Sequence, residues 1–317
     1  MIESYTPKFI VRNGRHFNSC RCKSCERQSA LVTRAWSNQV RHSAQLACDT
    51  VSRSMLFDTD ALDLIGERVA APDSTPLDAW QNNVNQGCIA LLLVENLSIE
   101  ERLHAIGILL SRTAKHDGLG NGECVLNDPL AFAGELISLS RDGILQQRFR
   151  EIPAIDKYKL IHLRRLSRIT LDADLDSMTS ISLTLRQAEL QLMSSGYLVD
   201  VLRELESNAT AQAFFEKHES LWTNYFLYRC FHEVFPGAEP QGYAIAFLDF
   251  TTDYFCIRNL CALLSSIGAD LTEATVAALF SAWYRTGRSA MSKDDHVEPL
   301  LIGMSLISSA NNHVFIE

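Results

Sequence analysis

Apolar residues recur at helical spacing through most of the chain after residue 50, and this pattern constrains the fold more than any other feature. In segment 78–95, Trp80, Val84, Cys88 and Leu91 fall on one stripe. The same spacing predicts further helices over residues 129–139, 182–193, 196–205, 210–218, 221–234, 244–266 and 272–284. No hairpin turn lies between alternating runs, and no internal repeat is visible. A mainly α fold is therefore predicted.

One helix is predicted with both of its ends. Ser98 followed by Glu101 matches a capping box at its start, and the glycine-rich segment 117–123 marks its end. A phosphate-binding loop is disfavoured for Gly118, Gly120 and Gly122, because these glycines follow a helix and no P-loop lysine comes after them. No Rossmann, Walker, zinc-protease or nucleophile-elbow motif occurs.

Charge divides the chain into two parts. Residues 1–53 hold nine basic and three acidic side chains, whereas the whole 317-residue chain has a formal charge of −9. We therefore predict a small, irregular, basic and cysteine-rich segment at 1–53 and an α-helical body at 54–317. The basic segment has three possible contacts: an anionic ligand, nucleic acid, or the acidic body itself. Nucleic acid is disfavoured because no helix-turn-helix is recognisable.

Targeting signals are not visible. The longest apolar runs are far shorter than the roughly 18–20 residues of a membrane span, and the N-terminus has no apolar signal region. A cytoplasmic protein without a membrane segment is expected, and its oligomeric state is left open.

The nine cysteines are distributed unevenly. Without a secretory signal, they do not indicate a disulfide framework. The cysteines at 88, 230, 256 and 261 lie in apolar surroundings and are expected to act as small hydrophobic residues, whereas Cys124 is left unassigned.

Three other cysteines, Cys20, Cys22 and Cys25, fall within six residues in a polar segment that can wrap around an ion. The fourth ligand is Cys48 or His16. Neighbouring Arg21, Lys23 and Arg27 are expected to lower the thiol pKa values. Four thiolates suit tetrahedral zinc or an iron–sulfur cluster, and the alternative is a set of reactive or incidental thiols.

Aromatic residues crowd the C-terminal half, with Trp222, Tyr225 and Tyr228 on one predicted helix. This pattern favours a thick helix–helix interface over a pocket wall. The neighbouring pair His232 and Glu233 is more typical of a helix surface than of proton chemistry.

These residues also resemble a known family. The stretch 221–237, LWTNYFLYRCFHEVFPG, is similar to a segment of flagellin lysine-N-methylases, and residues 243–289 look like the C-terminal helical region of those proteins. Residues 46–58 resemble an earlier block of the family. The motifs occur in the family's order over roughly residues 30–290. Two further blocks of the family's cysteine-rich N-terminal region are not found intact.

The resemblance implies a function and its cofactors. It implies methylation of flagellin lysine side chains, with S-adenosylmethionine as donor and a 4Fe-4S cluster held by Cys48 with Cys20, Cys22 and Cys25. The missing blocks leave two alternatives open, which are an inactive relative and a non-catalytic metal-binding or regulatory module.

Methyl transfer to lysine needs a neutral amine aligned with the donor. Aromatic walls with a nearby carboxylate or tyrosine would favour such an amine. Trp222, Tyr225, Tyr228 and Asp249 are therefore the candidates for the catalytic site.

The cysteine pattern generates a test. Protein purified without oxygen is expected to contain zinc, or iron with acid-labile sulfide, and Cys22→Ser should abolish this metal content. Cys256→Ser, the matched control in an apolar segment, should retain it. Equal metal content in the two variants would contradict the ligand assignment.

Overall fold

Helices make up most of the structure, as the apolar spacing predicts, and the mainly α fold is confirmed. The computed structural model describes residues 1–22, 24–26, 29–114, 128–291 and 298–308. Segment 118–122, Cys124, Lys23 and Arg27 lie outside these residues, so the expectations for them are not addressed.

The N-terminal part contains a four-stranded sheet and two helices. Its elements are β1 (Ile2–Pro7), α1 (Lys8–Ser19), β2 (Leu31–Trp36), β3 (Gln39–Ala44), α2 (Asp49–Phe57) and β4 (Leu64–Val69). The strand order is β2-β3-β1-β4. β1 runs parallel to β3 and antiparallel to β4, and β2 pairs with β3 in antiparallel fashion.

The expectation that the chain has no hairpin is wrong, because β2 and β3 are joined by the two-residue turn Ser37-Asn38. The apolar–polar alternation expected of a strand is broken in β3, because its polar residues Arg41 and Ser43 point inward. The Arg41 guanidinium is buried and donates to Asn85 Oδ1 at 3.2 Å, and buried Ser43 bonds to His232. The predicted division after residue 53 falls inside α2, and β4 joins the same sheet as β1.

The helical body follows the sheet. Its elements are α3 (Ala79–Leu92), α4 (Ile99–Thr113), α5 (Pro129–Arg141), α6 (Ile144–Arg150), α7 (Asp156–Leu166), α8 (Ser177–Leu192), α9 (Ser195–Glu206), α10 (Ala209–Lys217), α11 (Ser220–Glu233), α12 (Tyr243–Ser266), α13 (Glu273–Ala282), a π-helical turn (Trp283–Gly287), α14 (Arg288–Met291) and α15 (Pro299–Ile307). The predicted capping box of Ser98 and Glu101 is present at α4. Helices α1, α2, α6, α7, α14 and α15 were not predicted.

Helix α12 forms the centre of this body. It packs against α4, α7, α9, α10, α13 and α15, and most of its side chains are buried. Cys256 and Cys261 on α12, Cys88 on α3 and Cys230 on α11 are fully buried in the hydrophobic core. Their expected role as small hydrophobic residues is confirmed.

Basic residues of the N-terminal segment pair with acids of the same chain. The Lys8 ammonium lies 2.8 Å from Asp63 Oδ2, and the Arg12 guanidinium donates to Asp60. Arg53 lies 3.7 Å from Glu273 on α13. Of the three contacts considered for this segment, the structure therefore contains the one with the acidic body.

A buried ionic network joins α11, α12 and the turn after α13. Asp253 on α12 and Arg229 on α11 form an ion pair in which each side chain is 2% exposed. The indole N–H of Trp283 donates to Asp253 Oδ1 at 2.7 Å, and the Tyr225 hydroxyl donates to Oδ2 at 2.8 Å.

Glu233 is the second anion of this network. It accepts hydrogen bonds from Arg229 and Arg288, both at 2.7 Å, and from the Tyr284 hydroxyl at 3.1 Å. Burial acts to raise the pKa of Glu233, but the two guanidinium groups outweigh it and lower the pKa to about 2. Two cations and two anions therefore compensate one another inside the helical body.

This network predicts a large stability effect. Asp253→Asn keeps the shape of the side chain but leaves buried Arg229 and half-buried Arg288 with one carboxylate, so the free energy of unfolding should fall by about 3–5 kcal/mol. Glu151→Gln, which removes an exposed pair with Arg148, should change it by less than about 1 kcal/mol. Urea denaturation measures both, and similar losses would contradict the role of Asp253.

Candidate functional site

Four cysteine side chains converge where α1 ends and α2 begins. The Sγ atoms of Cys20, Cys22, Cys25 and Cys48 all lie within 4.8 Å of one another, and those of Cys20 and Cys48 are 3.6 Å apart. The structure thus brings the predicted cysteines together. His16, the other candidate for fourth ligand, does not belong to this group.

The local backbone structure positions the four thiols close together. Cys20 ends α1, where its N–H donates to the carbonyl of Phe17. A turn follows in which the N–H of Cys25 donates to the carbonyl of Cys22 at 2.9 Å. Cys48 precedes α2 as its N-cap residue. A helix end, a turn and a helix start therefore supply the four thiols.

The helical body holds the loop that carries Cys48. The Tyr228 hydroxyl on α11 donates to the carbonyl of Ala44 at 2.9 Å and accepts from the N–H of Leu46 at 3.1 Å. Arg285, in the π-helical turn, donates to the carbonyl of Ala47 at 2.7 Å. The Ser24 hydroxyl donates to the same carbonyl at 2.8 Å, which ties the cysteine turn to this loop.

Burial determines the acidity of two thiols. Burial raises the pKa of Cys48 to about 11, and burial together with the neighbouring thiols of Cys48 and Cys22 raises the pKa of Cys25. The expectation of generally lowered thiol pKa values is therefore wrong for these two residues. Of the three cations expected to lower them, only Arg21 is described, and it is exposed.

The converging thiols fit a tetrahedral metal centre. Thiolate, nitrogen and carboxylate ligands hold structural metals in proteins, and four thiolates are a common set for zinc and iron. A bound cation would stabilise the deprotonated thiols, which burial and crowding otherwise disfavour. The donor set and its spacing thus match a metal site.

The predicted aromatic candidates lie in the core. Tyr225 and Tyr228 are fully buried, the first bonded to Asp253 and the second to the loop before Cys48. Asp249 lies on α12, and burial, with the nearby charge of Asp253, raises its pKa to about 6. The structure does not place Asp249 in the cysteine centre.

His232 points inward, not to the helix surface. It is 7% exposed, and its Nδ1 lies 2.6 Å from the Ser43 hydroxyl. Burial lowers the pKa of His232 to about 4, so the ring is neutral at pH 7. The surface interpretation of His232 and Glu233 is therefore wrong.

A cavity of about 660 Å³ lies between α4, α9, α10, α12 and α15. Its charged and aromatic lining comprises Glu100, Arg203, Glu206, Phe215, Tyr254, Phe255 and Arg258. Sequence reasoning missed this set, because its members come from four separate helices. The spacing of Tyr254 and Arg258, four residues apart on one face of α12, was the available signal. Trp222, a predicted candidate, is not part of the cavity lining, but its ring contacts the lining residues Tyr254 and Phe215.

Ion pairs organise the carboxylates of the cavity. Arg258 donates to Glu100 Oε1 at 3.1 Å and to the Tyr254 hydroxyl at 2.7 Å, and that hydroxyl donates to the same Oε1. The buried Lys159 ammonium donates to Glu206 Oε1 at 2.6 Å. Among the residues that the structure describes, no hydrogen bond engages Oε2 of either glutamate.

Comparison with known proteins finds one family whose model matches most of the helical body. A family model for the FliB lysine N-methylase C-terminal domain matches residues 85–290, which is more than half of the chain. This range contains Tyr228 and Arg285 and begins after the four cysteines. No curated protein and no solved structure matches the chain significantly. In the described part of the chain, no helix has both the length and the apolarity of a membrane span.

The contact of Arg285 with the cysteine loop is testable. Arg285→Gln removes the donor to the Ala47 carbonyl, so metal should be held about tenfold more weakly, as for other groups that orient ligands. Arg148→Gln, on the exposed face of α6, should leave metal retention unchanged. Competition with a chelator measures both, and equal retention would show that Arg285 does not position Cys48.

Proposed function

Because this chain belongs to the flagellin lysine N-methylase family, we propose that it transfers methyl groups from S-adenosylmethionine to lysine side chains of flagellin. The observation that carries the proposal is the match of the family's C-terminal domain over residues 85–290. The same range supplies the side chains that hold the cysteine loop and four of the helices around the cavity.

The chemistry defines what the protein must provide. In the reaction the neutral lysine nitrogen attacks the methyl carbon, the carbon–sulfur bond breaks, and the amine loses a proton. S-adenosylmethionine supplies the electrophilic methyl group. The chain must therefore exclude water around the amine, orient it, and accept its proton.

The catalytic residues stay a prediction. Tyr225, Tyr228 and Asp249 are the sequence-based candidates. The hydrogen bonds of Tyr225 and Tyr228 within the core favour a positioning role for both tyrosines. The raised pKa of Asp249, about 6, is typical of a group that can accept a proton near neutral pH.

We propose that Cys20, Cys22, Cys25 and Cys48 hold a metal centre in the working protein. Four sulfur atoms around one ion, each at about 2.3 Å, lie about 3.8 Å apart. A four-iron cluster binds each thiolate through a different iron atom, which requires wider separations. The observed separations, all within 4.8 Å, favour a single ion such as zinc over the 4Fe-4S cluster that the resemblance implies.

The free thiols also bear on location. The eight described cysteines form no disulfide. A thiolate centre of this kind persists in a reducing compartment, and the proposal therefore places the protein in the cytoplasm.

A methyl-transfer assay tests the proposed activity. Purified flagellin, incubated with the metal-containing protein and methyl-labelled S-adenosylmethionine, should gain label on lysine residues located by peptide mass spectrometry. Flagellin with acetylated lysines, the matched control substrate, should stay unlabelled. A folded, metal-containing protein that transfers no label would contradict the proposal and favour an inactive relative or a binding module.

A further inference from the structure

We propose that the cavity between α4, α9, α10, α12 and α15 is the binding site of the methyl donor. The inference rests on the proposed function and adds to it the place and the residues that hold S-adenosylmethionine. That ligand combines an adenine ring, a ribose with two hydroxyl groups, and an amino acid with a carboxylate and an ammonium group. Each of these parts needs a different kind of partner.

Arginines supply the partner for the carboxylate. The Arg258 side chain lies over the Tyr254 ring, at 5.0 Å from the guanidinium carbon to the ring centroid, and it is about one third exposed. Its hydrogen bonds to Glu100 and Tyr254 all use Nη1, which leaves Nη2 for a ligand within the described structure. Arg203 stands at the exposed rim of the same cavity. A planar guanidinium with free donors suits a carboxylate.

Glutamates supply acceptors for the hydroxyl and ammonium groups. Arg258 and Tyr254 hold Glu100 through Oε1, and Lys159 holds Glu206 through Oε1. Both carboxylates are therefore fixed in place, and no described residue occupies their Oε2 atoms, which can accept from a ligand. A fixed acidic side chain that accepts from ribose hydroxyls is the arrangement that many nucleotide sites use.

Aromatic and amide side chains complete the match. Phe215, Tyr254 and Phe255 line the cavity and offer ring faces or edges to the adenine. Asn208 and Asn259 line it as well and provide amide groups at its wall. The volume, about 660 Å³, lies within the range of small-molecule sites, roughly 300–1,000 Å³.

The charges favour the donor over a substrate lysine as the occupant. A lysine side chain brings a cation and no anion, and Arg258 and Arg203 would repel it. S-adenosylmethionine brings a carboxylate for the arginines and cationic groups for the glutamates. The cavity therefore offers positive groups to the carboxylate of the donor and negative groups to its cationic parts.

Helix geometry links this site to the reaction. Arg258 lies nine positions after Asp249 on α12, which places the two side chains on opposite sides of the helix. Tyr254 and Glu100 line the cavity, whereas Asp249 does not, so a donor bound in the cavity would contact the first two residues. The proposal thus selects a different face of α12 from the one that sequence reasoning favoured.

Calorimetric titration of the full-length protein tests the site without relying on activity. The ligands are S-adenosylmethionine and its demethylated product, S-adenosylhomocysteine. Arg258→Gln should weaken the binding of both about tenfold or more, because it removes a charge-assisted contact. Arg148→Gln, an exposed arginine that also pairs with a glutamate, should bind like the unmodified protein. Arg203→Gln, at the exposed rim, should weaken binding several-fold and decides the matter if Arg258→Gln does not fold.

The outcomes separate the two proposals. Equal affinities in the unmodified protein and both cavity variants would overturn the cavity as the donor site and leave the proposed function standing. No donor binding by the folded, unmodified protein would overturn both. The third outcome concerns which compound competes with the bound donor. If Nα-acetyl-lysine methyl ester displaces S-adenosylmethionine and S-adenosylhomocysteine does not, the cavity takes the substrate side chain, and the inference is overturned.

Discussion

The ion pair between Arg229 and Asp253 is the interaction on which the arrangement of the helical body depends. Both side chains are almost completely buried, so each charge requires the other, together with the hydrogen bonds from Tyr225 and Trp283. These contacts fix α11 against α12 and fix both helices against the turn after α13. Because α12 packs against most of the neighbouring helices, a change at this ion pair acts at the centre of the helical body.

Two positions on the same helical framework reach the cysteine centre. Tyr228 lies one turn from Tyr225 on α11, and Arg285 lies in the turn that also contains Trp283. Their hydrogen bonds hold the loop before Cys48, while Cys20, Cys22 and Cys25 come from the N-terminal part. All four cysteines belong to the N-terminal part, so a metal ion at this centre would link the turn after α1 to the loop that Tyr228 and Arg285 hold, and metal binding would stabilise that connection.

The cavity and the cysteine centre have no residue in common, and they differ in their relation to the family match. The matched range, residues 85–290, contains most of the cavity lining, whereas the cysteines precede it. If both proposals hold, methyl transfer by this protein draws on a helical domain that binds the donor and on a thiolate centre outside the matched range. The close approach of the four sulfur atoms favours a structural ion, which is consistent with a centre that holds the loop and lies apart from the cavity.

Local patterns in the sequence determined most of the long helices of the body, the capping box at Ser98 and the grouping of three cysteines, because each depends on residues near one another in the chain. The hairpin was not recognisable, since Arg41 and Ser43 turn inward toward Asn85 and His232, partners that are distant in sequence. Only the tertiary structure decided that Cys48, and not His16, completes the cysteine group, and that Glu100, Glu206 and Arg258 face one cavity. Those residues are brought together by helix packing, and no local pattern records which faces of the helices will meet.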